Sequence, residues 1–257
     1  KLLICHALNS SIEIFLYDSK KEISLLVKKK IFKLISRRAN GEPFAYITNS
    51  ISFYKNNFYI NNKVLIPRPE TEELIEKVLK KIPNKNKKIN ILDIGTGSGV
   101  ILASLLKELP NASGIGTDIS VDALKVAKIN LTNLNIFSRS ILVNTNWSQG
   151  IKTNIFDIVT CNPPYIDNKY IKNLPKEVKE YEPLIALKGG KNGLDSFRSF
   201  LPLARTVMKI NALLALEIGF DQSKLLENIL YKNKFKLKNI IKDISRNKRI
   251  MIAISIK

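Results

Sequence analysis

Residues 91–99 read Ile-Leu-Asp-Ile-Gly-Thr-Gly-Ser-Gly, which is the most informative segment of the sequence. A short apolar segment leads into three closely spaced glycines, and an apolar run suited to a helix follows them. Glycine lets the backbone approach a ligand closely, because no Cβ stands in the way. The stretch therefore predicts a buried strand, a glycine turn and a helix at a ligand site. Its spacing, Gly-x-Gly-x-Gly, differs from the Gly-x-Gly-x-x-Gly of a dinucleotide fingerprint.

Strands and helices alternate from this turn towards the C-terminus. Apolar β-branched runs predict strands, and apolar residues at helical spacing predict helices. The predicted strands are 89–94, 114–118, 141–144, 155–161, 213–218, 236–243 and 249–256, and the predicted helices are 98–109, 121–133, 194–210 and 222–232. Such alternation predicts an α/β domain over residues 89–257, with a parallel sheet covered on both faces.

The chain before this domain has a different pattern. Over residues 1–41, apolar positions recur at helical spacing, which predicts a small helical domain. Residues 42–88 form a connecting region, in which Ile51 to Ile60 is expected to pair as a hairpin with the stretch around Val64 to Ile66. A helix is predicted from Pro69 to about Lys81, because proline suits the first turn and acidic residues follow it.

Composition excludes several classes of protein. Two cysteines and one histidine leave no material for a disulfide framework or a Cys/His zinc site, so no metal site is predicted. Apolar runs are short; the run from Ala212 to Leu216 ends at Glu217, well below the ~20 residues that cross a bilayer. With no secretory signal visible, we expect a cytoplasmic protein that does not contact a membrane.

The formal net charge of +20 is the one feature of the composition that points towards nucleic acid. Clustered Lys and Arg attract phosphate without regard to sequence. The lysines occur together with abundant Asn and Ile, as in residues 84–90, and this bias favours compositional drift on solvated surfaces over a dedicated nucleic-acid face.

Two side chains follow strands at the edge where the glycine turn is expected. Asp118 ends the second strand, where its carboxylate can accept hydrogen bonds from both hydroxyls of a ribose. Trp147, the only tryptophan, follows the third strand, where it either stacks on an adenine or packs in the core. The glycine turn resembles the first motif of class I methyltransferases, which use S-adenosylmethionine. The predicted cofactor site is Gly95, Thr96, Gly97, Ser98, Gly99, Asp118, Trp147 and Asn162.

The sequence Asn162-Pro163-Pro164-Tyr165 follows the fourth strand, on the same edge. The prolines stiffen the backbone, so that the Asn162 side chain and the Pro163 carbonyl present two acceptors in a preset geometry. Two acceptors suit a planar NH2 group, which belongs to an adenine, a cytosine or a glutamine amide. We therefore predict Asn162, Pro163 and Tyr165 as catalytic residues. Together with Pro164 they form the predicted substrate site, with the Tyr165 ring covering the amide or base.

At these residues the chain resembles the release-factor glutamine methyltransferases, the HemK family, over nearly its whole length. Two further stretches carry the resemblance, Gly-Glu-Pro-Phe-Ala-Tyr-Ile at 41–47 and Leu-Ile-Pro-Arg-Pro-Glu-Thr-Glu at 65–72. The second also differs from the sister enzymes that modify a ribosomal protein. The chain departs from the family at Asn146, where relatives often have Asp, at Asn49, where many have Gly, and at 209–212, which lacks the usual glycines.

The resemblance implies a Rossmann-like class I methyltransferase sheet with a small N-terminal helical domain. It also implies methylation of the glutamine in the Gly-Gly-Gln loop of class 1 peptide-chain release factors, with the helical domain helping to hold that protein and nucleic acid not required. Two alternatives stay open. One is an adenine-N6 or related RNA or DNA methyltransferase, and the other is a non-catalytic binding module that retains the fold.

Overall fold

The computed structural model describes residues 1–17 and 22–257, and it begins with four helices. They are α1 (Leu2–Leu8), α2 (Ile12–Tyr17), α3 (Leu25–Ala39) and α4 (Phe44–Thr48). The α3 helix starts at Ser24, whose side chain accepts from the Val27 N–H. Ile31 and Leu34 of α3 pack with Ala7 and Ile47 in a small core of their own. Residues 18–21 of the predicted helical region lie outside the described residues.

The hairpin of the connecting region differs from the prediction. Its strands are β1 (Ser50–Phe53) and β2 (Asn56–Tyr59), so the stretch expected to pair with residues 64–66 instead forms most of the hairpin by itself. The turn residues Tyr54 and Lys55 both have positive φ, 38° and 64°, as a type I′ hairpin turn requires. The sequence does not indicate this turn, because Tyr-Lys is not a usual pair at such positions.

The helix that follows agrees with the prediction and runs from Pro69 to Lys80 (α5). Proline stands in its first turn with Glu70 and Glu72, where acidic side chains interact favourably with the helix dipole. Its buried face, which includes Leu74 and Val78, packs against the central sheet and the helix after the glycine turn.

The central sheet has seven strands in the order β10-β11-β9-β6-β3-β4-β5. They are β3 (Asn90–Ile94), β4 (Ser113–Asp118), β5 (Ser140–Asn144), β6 (Phe156–Cys161), β9 (Met208–Glu217), β10 (Phe235–Lys242) and β11 (Lys248–Ser255). The five strands β3, β4, β5, β6 and β9 are parallel, as predicted. The C-terminal strands β10 and β11 are antiparallel, so the sheet is mixed.

Helices cover both faces of this sheet, which confirms the α/β architecture. One face carries α5, α6 (Val100–Glu108) and α7 (Val121–Asn133), with a core that includes Leu102 and Leu106. The other carries α9 (Asp195–Val207) and α10 (Ser223–Lys232), whose core includes Phe197 and Leu226. The helix predicted to reach residue 210 ends at Val207, because Met208 already pairs with Phe156 in the sheet.

Residues 166–193, for which the sequence pattern made no prediction, form a small layer over the sheet edge. It contains β7 (Ile166–Asp167), α8 (Lys176–Tyr181) and β8 (Lys188–Gly190), and β7 pairs with β8 in parallel. Short 3-10 helices fill the intervals. Within the described ranges, no helix combines the length and the apolar character needed to cross a bilayer.

Candidate active site

A cavity of about 280 Å³ opens at the carboxyl edge of the parallel strands. The glycine turn follows β3, Asp118 ends β4 and Asn162 follows β6, so the topology brings all three to one edge. Of the predicted site residues, those that line the cavity are Gly95, Thr96, Gly97, Ser98, Asp118, Trp147, Asn162 and Pro164. Gly99, Pro163 and Tyr165 are not among its lining residues.

The glycine turn leaves open space on its cavity side. Gly95 has φ of 68°, and a Cβ built there would have no atom within 4 Å. Gly99 has a different role, because a Cβ there would lie 3.1 Å from the Ala127 Cβ. Its small size lets the start of α6 lie close to α7.

Asp93, on β3, holds the glycine turn in place. It is fully buried and accepts hydrogen bonds from the hydroxyls of Thr96 and Thr160, each at 2.7 Å. Burial raises the pKa of Asp93 to about 6, against the two hydroxyl donors, which lower it. The Thr96 hydroxyl thus connects a turn residue that lines the cavity to the buried strand.

Asp118 faces the cavity with acceptor capacity to spare. Its Oδ2 accepts from the Gly97 N–H and its Oδ1 from the Ser120 N–H, both at 2.9 Å. A carboxylate offers about four lone-pair sites, so two are left for a ligand. Burial raises the pKa of Asp118, while these backbone donors lower it.

Trp147 lines the cavity and packs in the core, and the adenine stacking that the sequence left open stays a prediction. Its ring centroid lies 5.5 Å from that of Phe200 on α9. Its backbone is in the left-handed region, with φ of 57°, which is uncommon for a bulky residue. Asn146, one of the departures from the family pattern, is exposed and also lines the cavity.

The residues after β6 divide between the cavity and the core. Asn162 is half-buried, and its Nδ2 donates to the Thr71 hydroxyl at 3.4 Å. Pro163 is buried. Tyr165 packs against the α9 core, and its hydroxyl donates to Glu217 Oε1 at 3.1 Å. This placement differs from the expected covering position, and the role of Tyr165 towards a substrate stays a prediction.

The chain beyond Tyr165 is held by Gln222. Its Nε2 donates to the carbonyls of Tyr165, at 2.8 Å, and of Gly193, at 3.1 Å, while its Oε1 accepts from the Gly219 N–H. A Cβ at Gly193 would collide with the Tyr165 carbonyl, and its φ is 66°. The contacts of Gln222 and Gly193 therefore fix the backbone that follows the two prolines.

The opposite wall of the cavity comes from residues that the site prediction did not include. Glu182, which is buried, accepts from Arg68 at 2.6 Å and from the Ile66 N–H at 3.2 Å. This contact joins the segment before α5 to the segment after α8. Pro67 and Pro183, the neighbours of these two side chains, both line the cavity.

Thr71 and Glu217 are two further polar residues that the site prediction missed. Thr71 lines the cavity, and its hydroxyl donates to Glu217 Oε2 at 2.5 Å. Signals for both exist in the sequence. Thr71 lies in the 65–72 stretch, and Glu217 is a charged residue at the carboxyl end of a buried strand, where ligand sites of parallel sheets form.

Comparison with known families adds two matches. A family model described as the PrmC N-terminal domain matches residues 1–48, and one described as the methyltransferase small domain matches residues 71–178. The second match contains the glycine turn, Asp118, and Asn162 with its two prolines.

One curated relative covers most of both chains. The release factor glutamine methyltransferase of Caulobacter vibrioides is 37% identical over 237 residues, which is 92% of this chain and 82% of the relative. The chain belongs to the release factor glutamine methyltransferase family. Family membership accounts for the joint presence of an N-terminal helical region and a methyltransferase sheet.

One further curated relative and one solved structure also resemble this member of the release factor glutamine methyltransferase family. A bifunctional methyltransferase of Rickettsia conorii is 34% identical over 98% of the chain, which spans about half (52%) of that longer protein. The solved structure of a ribosomal protein L11 methylase from Lactobacillus delbrueckii subsp. bulgaricus has a TM-score of 0.54 and 20% identity, covering 74% of this chain and 80% of its own. That likeness concerns the methyltransferase fold.

Proposed function

We propose that the chain transfers a methyl group from S-adenosylmethionine to the side-chain amide nitrogen (N5) of the glutamine in the Gly-Gly-Gln motif of class 1 peptide-chain release factors. The observation that carries the proposal is the shared cavity. The glycine turn and Asp118 line one part of it, and Asn162 and Pro164 line another. The relationship to proteins named release factor glutamine methyltransferase supports a glutamine amide over a nucleic-acid base.

The cavity fits S-adenosylmethionine in three respects. No protein atom lies within 4 Å of a Cβ built at Gly95, so a ligand can approach the backbone there. The lone pairs left on Asp118 suit two ribose hydroxyls, and the Trp147 ring beside them offers a surface for the adenine. When bound, the cofactor supplies an electrophilic methyl group on a sulfonium. The residues we assign to it are 95–99, Asp118, Trp147 and Asn162.

The protein's part in the reaction is to orient and to stabilise charge. An amide nitrogen is a poor nucleophile, so it has to be held in line with the methyl group. Asn162 Oδ1 and the Pro163 carbonyl accept hydrogen bonds from its two N–H groups, and both interactions strengthen as the nitrogen becomes positive. Transfer would break the bond between the methyl carbon and the sulfonium sulfur, which would leave as a neutral thioether, and the nitrogen would lose one of its two protons to solvent. The rigid double proline keeps the two acceptors in place.

The N-terminal helices support a protein substrate. Leu25, Leu26 and Phe32 on α3 are 68%, 79% and 71% exposed, so this helix presents large apolar side chains that a protein partner can cover. We propose that residues 1–41 form a substrate-recognition domain, that 42–88 connect, and that 89–257 form the methyltransferase domain. Because release factors act in translation, we place the reaction in the cytoplasm.

Labelling with two substrate classes tests the proposed function. The protein is incubated with labelled S-adenosylmethionine and either a release factor, the same factor with its Gly-Gly-Gln glutamine replaced by glutamate, or RNA. We expect label only in the release factor that retains its Gly-Gly-Gln glutamine. The amount of label should decrease mildly from low to moderate salt. An enzyme with several phosphate contacts would lose orders of magnitude in affinity over that range. Labelled RNA with an unlabelled release factor would overturn the proposal.

A further inference from the structure

A buried hydrogen-bonded chain connects Glu217 to the predicted substrate acceptor. Glu217 is 1% exposed and lies at the end of β9, and its two oxygens accept from two different hydroxyls. Thr71 donates to Oε2 at 2.5 Å, and Tyr165 donates to Oε1 at 3.1 Å. Asn162 Nδ2 then donates to the Thr71 oxygen at 3.4 Å.

The donors and acceptors in this network fix the direction of each of its hydrogen bonds. Burial raises the pKa of Glu217, while hydrogen bonds from Thr71 and Tyr165 and the charge of Arg249 lower it. In its ionised form this carboxylate only accepts hydrogen bonds, so the single hydroxyl hydrogen of Thr71 is committed to Glu217. Towards Asn162, Thr71 therefore has only lone pairs to offer. The NH2 end of the Asn162 amide faces Thr71, because the oxygen end would place two acceptors against each other.

The two ends of an asparagine side chain have nearly the same shape but opposite hydrogen-bonding character. If Asn162 were reversed, its NH2 would meet the NH2 of the substrate, and two donors would face each other. Orienting this amide is therefore a requirement of the reaction.

We propose that Thr71 and Glu217 are positioning residues that fix which end of the Asn162 amide faces the cavity. Glu217 commits the Thr71 hydroxyl, Thr71 binds the Asn162 nitrogen, and Asn162 Oδ1 is left to accept from the substrate. Tyr165 donates to the second oxygen of Glu217 in the same network. This inference rests on the proposed function, because it concerns the grip on an NH2 group.

Substitutions at Thr71 separate this role from simple packing. Thr71→Val keeps the shape and removes the acceptor, whereas Thr71→Ser keeps the hydroxyl. We expect Thr71→Val to lower kcat about tenfold, the effect of losing one hydrogen bond, with cofactor Kd unchanged. Thr71→Ser should stay within about threefold of the unmodified enzyme. Thr117→Val is the matched control, because Thr117 is also buried but its hydroxyl has no partner in the described structure.

A double-substitution cycle with Asn162→Ala gives the sharpest test. If Thr71 acts only through Asn162, then adding Thr71→Val to Asn162→Ala should lower kcat no further. A further tenfold loss in that background, or unchanged kcat in the single Thr71→Val variant, overturns the inference. So does a Thr71→Ser variant as impaired as Thr71→Val.

Glu217→Leu keeps the test decisive if Thr71→Val does not fold. Leucine offers no acceptor, so the Thr71 hydroxyl is released to donate to Asn162 Oδ1, and we expect a similar loss in kcat. Unchanged kcat in this variant contradicts the inference. If the unmodified enzyme labels RNA and not the release factor, the proposed function fails. The same variants are then measured with RNA, because a base NH2 presents the same two donors.

Discussion

Asn162 is the residue on which the proposed chemistry depends most. It lines the cavity together with the glycine turn and Asp118, and its nitrogen is turned towards Thr71. Its Oδ1 is therefore an acceptor held in place before the substrate binds. Acceptors organised in this way stabilise developing charge without rearranging during the reaction.

The first prediction is that Asn162→Ala lowers the rate of methyl transfer about 10²–10³-fold, by analogy with the loss of one preorganised hydrogen bond. Cofactor affinity should change much less, and the fold should stay intact. Asn162→Asp retains an acceptor of similar size but adds a charge, so partial activity is expected. Single-turnover measurements at saturating cofactor test this, and an Asn162→Ala rate equal to that of the unmodified enzyme would rule out the amide grip.

The second prediction concerns Asp118 and the affinity for the cofactor. Asp118→Ala removes the acceptors assigned to the ribose and should weaken binding of S-adenosylmethionine by about 1–3 kcal/mol, the usual range for a hydrogen-bonded charged group. Calorimetry measures the change, and thermal unfolding serves as the control because Asp118 also accepts from Gly97 and Ser120. Unchanged affinity in a folded variant would remove Asp118 from the site.

Asp93 makes the stability of the protein depend on pH. Its pKa is raised by burial from 3.8 to about 6, so the folded state binds the proton more tightly than the unfolded state. The stability that this group contributes is therefore complete at low pH, and it is lost as the pH rises through about 4 to 6.

The third prediction follows from the direction in which stability changes with pH. Asp93→Asn does not titrate, so the free energy of unfolding of the unmodified protein minus that of the variant should fall by about 2 kcal/mol between pH ~4.5 and ~7.5. Denaturant unfolding at the two pH values measures it. A difference that does not depend on pH would show that Asp93 keeps its ordinary pKa.

Some departures from the family pattern gain a physical explanation at this scale. Asn49, where many relatives have Gly, has φ of 53° and ends α4, and Asn211, in the segment without the usual glycines, has φ of 63°. Asparagine tolerates the left-handed region better than other non-glycine residues. The Asn-rich composition, taken from the sequence as surface drift, therefore also supplies backbone positions that glycine fills elsewhere. Sequence alone could not distinguish the two, because φ is not visible in composition.

At the scale of elements, the hairpin supports the glycine turn through one side chain. Asn130 of α7 is buried, donates to the carbonyls of Tyr59 and Ser98, and accepts from the Tyr59 N–H. A single amide thus joins β2, α7 and the turn that lines the cavity. The connecting region is in this way part of the support for the candidate cofactor site.

The fourth prediction concerns this junction. Asn130→Ala leaves three backbone groups without their partner and should lower the free energy of unfolding by about 2–4 kcal/mol. Asn133→Ala, at an exposed position of the same helix, is the matched control and should change it by less than about 0.5 kcal/mol. Denaturant unfolding compares the two, and equal effects would show that the junction does not stabilise the fold.

The elements that the sequence predicted best are those with strong periodicity and clear ends. The helix over 121–133 and the strand–turn–helix around the glycines follow from local pattern. The layer of 166–193 was not predicted, because it is held by contacts distant in sequence, such as Arg68 with Glu182 and Gln222 with the Tyr165 carbonyl. The predicted pairing of the hairpin was wrong because Tyr54 and Lys55 are not usual residues for a hairpin turn.

For the whole molecule, parallel topology explains why so much of the candidate site was predictable. The ends of β3, β4 and β6 meet at one edge, so residues at 95–99, 118 and 162 come together without further information. The opposite wall and the Thr71–Glu217 pair depend on how α5 and β9 pack across that edge. Such packing involves residues 146 positions apart and leaves only weak local signals in the chain.

The fifth prediction tests the central claim, that one cavity brings a methyl donor and a glutamine amide together. A class 1 release factor is incubated with the protein and S-adenosylmethionine, and the methylated position is mapped by tandem mass spectrometry. We expect one methyl group, on the side-chain nitrogen of the Gly-Gly-Gln glutamine, and none when Asn162→Ala replaces the unmodified enzyme in a single-turnover reaction of matched duration. A methyl group on another residue of the factor, or on RNA while the factor stays unmodified, would contradict it.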